Sequence, residues 1–167
     1  MFTHPGGKLL FMGNEFGATS EWNYKTELQW DLLQYEPHQK LKDYVHDLNR
    51  LLRSEPALYE RQFKQDGFEW VDLNHRQESV IVYRRKGKDP DEELLVILNM
   101  TPVVRYDWKV YTAGKSKWKE IFNSDSKNYW GTGDVYNPSI EPVLVDKKGK
   151  WYEINLNLPP LGAIVLK

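Results

Sequence analysis

From residue 68 to residue 166 the sequence falls into short runs rich in β-branched and aromatic residues, with turn-forming residues between them and no helical periodicity. The runs cover residues 68–73, 80–85, 93–99, 104–110, 118–122, 143–145, 151–158 and 163–166. Such a series predicts an antiparallel β-sandwich of about 100 residues. The run at 93–99 is almost continuously apolar, which places it centrally, while 104–110 alternates and should show one face to solvent. Asp146-Lys147-Lys148-Gly149-Lys150 reads as a hairpin turn, and residues 123–137 form a Gly/Asn/Ser-bearing loop.

The first third of the chain has a different texture. Leu41, Tyr44, Val45, Leu48, Leu51 and Leu52 recur at helical spacing. With Pro37 in the first turn and Pro56 beyond the end, they predict an amphipathic helix. Lys40, Lys42, Asp43, Asp47 and Arg50 cover its solvent side, where His46 also lies. Ahead of the helix, Leu9-Leu10-Phe11-Met12 is a short apolar run stopped by Gly13. It reads as a buried parallel strand delivering its C-terminal end into a functional loop. Such a strand needs neighbours on both sides, and nothing else in this chain supplies them. Residues 18–36 are irregular, carry Trp22, Tyr24, Trp30 and Tyr35, and allow a short helical turn at 27–33. The texture changes at 57–67. Residues 1–62 therefore read as a strand-loop-helix unit and 63–167 as an all-β domain.

Charge and composition narrow the function. A net charge of −1 gives no reason to expect nucleic acid as partner. Without cysteine there are no disulfides or thiolate metal sites, and the reading is a cytoplasmic protein. The first residues lack the pattern of a signal peptide, and no apolar run nears the roughly 20 residues of a membrane span. The aromatic share is 14%, with seven tryptophans and ten tyrosines. Strands favour such residues, and flat rings also stack on the apolar faces of sugars.

Candidate chemistry is sparse. Asn14, Glu15, Glu21 and Trp22 follow the apolar run at the expected strand end. Paired carboxylates serve glycoside chemistry when held about 5–5.5 Å apart, usually from separate strand ends. Two glutamates on one loop fit binding or loop structure better. His4, His38, His46 and His75 are scattered without metal-ligand spacing, so neither metal nor cofactor is expected. Trp70, Trp108 and Trp151 lie on strands and read as core or same-face partners. Tyr129, Trp130 and Tyr136 form the one aromatic cluster off the strands, for loop packing or sugar stacking.

These residues carry a resemblance. Lys8-Leu9-Leu10-Phe11-Met12-Gly13-Asn14-Glu15-Phe16-Gly17, with Glu21-Trp22-Asn23, resembles the last barrel strand and following loop of 1,4-α-glucan (glycogen) branching enzymes, in the α-amylase superfamily, glycoside hydrolase family 13. The likeness runs on through Leu28-Gln29-Trp30-Asp31, Asp47-Leu48-Asn49-Arg50, Gly67-Phe68-Glu69-Trp70, Asn99-Met100-Thr101-Pro102, Ile121-Phe122-Asn123-Ser124-Asp125-Ser126 and Leu158-Pro159-Pro160-Leu161. Ala18 departs from the glutamine of many relatives.

The resemblance implies a remnant of a (β/α)8 barrel, its last strand, loop and helix, followed by an α-amylase-type C-terminal sandwich. It implies glycogen biosynthesis: transfer of an α-1,4-glucan segment to a 6-hydroxyl. The family's catalytic carboxylates would lie upstream of Met1, so no catalytic residue is expected here and the chain alone should be inactive. Asn14, Glu15, Glu21 and Trp22 would bind α-glucan, and the missing barrel would be the principal partner. Self-association through the exposed apolar strand, or irregular repacking of residues 1–35, would follow from its absence. A stand-alone glucan-binding sandwich is the alternative.

Overall fold

Two prolines bracket the one long helix, α1 (Glu36–Ser54), in the computed structural model, which describes all 167 residues. Pro37 sits in its first turn, and Glu55, held extended ahead of Pro56, ends it. A four-residue helix, α2 (Pro56–Tyr59), follows at once. Val45, Leu48 and Leu51 are the buried stripe of α1, as the spacing predicts.

Eight strands follow: β1 (Phe68–Asp72), β2 (Val80–Lys86), β3 (Glu93–Asn99), β4 (Arg105–Ala113), β5 (Glu120–Asn123), β6 (Val143–Asp146), β7 (Trp151–Leu158) and β8 (Gly162–Leu166). They form a five-stranded sheet ordered β1-β2-β3-β8-β5 and a three-stranded sheet ordered β4-β7-β6, every pairing antiparallel.

The larger sheet is covered on both faces. Val82, Leu95, Ile97, Ile164 and Leu166 meet Val110, Ile154, Leu156 and Leu158 of the smaller sheet, with Trp118 and Ile140 completing that core. On the opposite face Tyr83, Leu94, Val96, Phe122 and Val165 pack with Val45, Leu48, Leu51, Ala57 and Leu58. Double coverage is why β3 needs apolar residues at successive positions, and it lies between β2 and β8 as its run predicts.

Arg85 fastens the segments together. It is fully buried and has no carboxylate partner. Its guanidinium donates to three backbone carbonyls: Nη1 to Thr3 (2.7 Å), Nη2 to Leu58 (3.2 Å) and Nε to Gly67 (3.2 Å). Burial lowers the guanidinium pKa from its ordinary value.

Three expectations need correction. Residues 9–12 form no strand: Leu9 is 77% exposed and Phe11 52%, because no neighbouring strand pairs with them. Instead Phe2 and Phe16 bury, and residues 1–29 lie irregularly against the rest, followed by a 3₁₀ turn at Trp30–Gln34 that overlaps the helical turn expected at 27–33. The alternation of 104–110 is broken by a bulge between Arg105 and Trp108, where Asp107 takes φ 53° and Tyr106 turns out to solvent. Of the tryptophans read as core or same-face partners, Trp70 (47% exposed) and Trp151 (44%) lie outside the core, and Trp70 takes the same-face role. Trp70 stands edge-on to Phe68 at 4.7 Å beside Tyr83, and Trp151 lies over Gly149 of the hairpin turn.

Candidate functional site

The acidic, aromatic segment after residue 12 is shaped by a tight turn. The carbonyl of Gly13 accepts the amides of Phe16 (3.2 Å) and Ala18 (3.0 Å), and Asn14 donates to Phe11 (3.0 Å). Gly13 has φ 86°, and a Cβ there would fall 2.7 Å from Ala18 Cβ, so the turn requires glycine. Phe16, fully buried, anchors the turn with its ring 5.2 Å from Trp30. His38 of α1 donates through Nδ1 to the Phe16 carbonyl at 2.8 Å. Gln29 Oε1 accepts the amides of Thr19 and Ser20, each at 3.0 Å.

The four sequence-predicted site residues divide. Asn14, Glu21 and Trp22 line one concavity of about 100 Å³, together with Phe11, Ser20 and Gln29. Glu15 lines a different, more open groove of about 580 Å³ with Leu10, Met12, Lys42 and Asn49. Glu15 and Glu21 thus share no cavity, so the pair weighed from the sequence is not assembled; Glu27 lines the first concavity with Glu21.

What the first concavity offers is contact chemistry. The Asn14 amide donates and accepts, the Glu21 carboxylate accepts, and Trp22, 59% exposed, shows an open indole face. Phe11 (6.0 Å) and Tyr24 (5.8 Å) flank that indole, making an aromatic file. Carboxylate, amide and ring side by side suit a polyol with apolar ring faces. Sequence reasoning missed the bracing by Gln29 and the file itself, since neither leaves a periodic signal.

The other aromatic cluster also divides. Tyr129 is absorbed into packing: its ring stacks on Phe122 at 5.5 Å, stands edge-on to Tyr44 at 5.2 Å, and its Oη donates to Asp47 Oδ2 at 2.9 Å. Burial and the Asp47 bond raise its pKa above the usual tyrosine range. Trp130 and Tyr136 stay exposed. No helix of the chain is long and apolar enough to cross a membrane.

The comparisons agree with this architecture. Residues 70–167 match the family model of the alpha amylase, C-terminal all-beta domain. The chain belongs to that family. All 167 residues of this α-amylase-type chain align at 45% identity with the 1,4-alpha-glucan branching enzyme GlgB of Aquifex aeolicus, covering 26% of that protein. A GlgB from Shewanella frigidimarina is 42% identical over 99% of the chain, which covers 22% of it. The chain spans about a quarter of the length of these relatives. The crystal structure of an alpha-amylase from H. orenii superposes with a TM-score of 0.55 over 99% of the chain and 33% of that protein, at 19% identity, a likeness of fold.

Proposed function

We infer that the chain serves as the C-terminal region of a glycogen branching enzyme. In this reading residues 1–62 complete a catalytic barrel and residues 63–167 form the all-β domain bracing it. The enzyme moves an α-1,4-glucan segment to a 6-hydroxyl in the cytoplasm, and the reacting carboxylates belong to the barrel. Asn14, Glu21 and Trp22 line the glucan cleft and Glu15 meets the glucan from its own groove, none of them making or breaking bonds.

The observation that carries the reading is the run at residues 9–11. Its apolar side chains stand in solvent although the aligned relative keeps 45% identity across the whole chain. An apolar strip between a buried Phe2 and a buried Phe16 is a surface built to be covered. Left uncovered, it also favours self-association of the isolated chain.

A graft tests this. This chain replaces the aligned segment of the Aquifex aeolicus GlgB, and branching of amylose is followed by loss of iodine colour and new α-1,6 linkages. The graft should branch, and the 167-residue chain alone should not. Glu21→Ala or Trp22→Ala in the graft should raise KM severalfold. A folded graft without activity, or activity of the chain alone, would overturn the reading. The second reading, a glucan-binding module, is favoured by the exposed indoles of Trp130 and Trp151. Glycogen binding by the chain beside an inactive, folded graft would select it.

A further inference from the structure

Trp130 occupies a backbone conformation that its side chain does nothing to justify inside the chain. It closes the short 3₁₀ turn Lys127–Tyr129 with φ 66° and ψ 18°, in the left-handed region. Bulky L-residues avoid that region because Cβ crowds the following carbonyl, and glycine normally takes it. Burial of the indole would be the ordinary compensation. Yet Trp130 is 64% exposed, and its ring stacks on no other aromatic.

The surrounding loop is rigid enough to impose the geometry. Asp125 accepts the amide and hydroxyl of Thr132, at 3.0 and 2.6 Å. The amide of Gly131 donates to Ser126 at 3.1 Å and that of Gly133 to Asp125 at 2.7 Å. Tyr129, one residue before, is fixed by its bond to Asp47. Asn128, Asp134 and Tyr136 are exposed on the same loop, and their side-chain polar atoms bond to nothing within the chain. A costly backbone held firmly, a large flat ring turned outward and free hydroxyl-binding groups beside it describe a presented contact.

We propose that Trp130 is a surface contact for α-glucan, stacking on the apolar face of a glucose unit, apart from the concavity of Asn14, Glu21 and Trp22. The ligand class rests on the branching-enzyme reading; the location rests on the loop. The contact holds polymer near the chain and takes no part in bond making.

Affinity electrophoresis of the 167-residue chain in gels with and without glycogen tests it, alongside thermal unfolding. Trp130→Gly relieves the backbone and deletes the ring. It should leave Tm equal or higher while weakening glycogen retardation about tenfold, the scale of one aromatic contact. Trp130→Phe keeps a ring and should retain most of the retardation. A fall in Tm above 5 °C for Trp130→Gly would make the indole a packing residue and overturn the proposal, on the scale of a lost contact of about 1–2 kcal/mol. Unchanged retardation of the variant, no retardation of the parent chain, or loss of a dimer without loss of glycogen binding would overturn it equally. None of these results touches the graft experiment, so failure of the contact and failure of the enzyme reading are separable.

Discussion

Replacing Arg85 by methionine should cost the chain much of its stability, because one side chain satisfies three segments at once. Methionine keeps the length and apolar stem but removes every donor. The Leu58 and Gly67 residues are buried, so their carbonyls lose a partner that water cannot easily replace. Each such orphan costs about 1–3 kcal/mol. The Thr3 carbonyl, on the N-terminal arm, can turn to solvent and counts for less. Against this, the variant no longer desolvates a cation without a counter-ion, a relief of up to several kcal/mol. The balance is a loss of about 2–3 kcal/mol. For a chain of this size that lowers Tm by roughly 4–12 °C. Urea unfolding should show a lower midpoint at unchanged slope, and limited proteolysis should cut first among residues 1–8. Arg85→Lys should fall nearly as far, since one ammonium cannot fork toward three carbonyls. A methionine variant as stable as the parent, with its N-terminal arm still protected, would refute the claim that Arg85 fastens the segments.

Two further outcomes are expected. Tyr129 keeps its proton more tightly in the fold than its ordinary value of 10, so its contribution is whole below that pH and is lost as pH rises through the higher folded value. Tyr129→Phe should therefore flatten the decline in stability measured by urea titration above pH 10, and an unchanged slope would contradict the Asp47 bond. Gly131→Ala would set a Cβ 2.2 Å from the carbonyl oxygen of Asp125, backbone that cannot swing aside. It should cost at least about 2 kcal/mol by thermal unfolding, and a neutral result would mean the loop is looser than described.

The sequence by itself determined the local elements. Residues 93–99 form a short, bounded apolar run and residues 41–52 carry theirs at helical spacing, so the strand follows from length and composition and the helix from period. Asn14, Glu15, Glu21 and Trp22 were legible as candidates because they follow an apolar run. Tertiary structure decided how they group: the turn at Gly13 sends Glu15 to one cavity and Asn14, Glu21 and Trp22 to another. It also decided that residues 9–12 are no strand, since strand pairing is a property of neighbours and none is present. Arg85, next to Arg84 at the end of the run 80–85, gave no sign of a buried, carbonyl-bound cation. Trp130 gave no sign of its left-handed backbone. Period reads which face a side chain takes, but what that face meets is fixed only when distant segments close upon it.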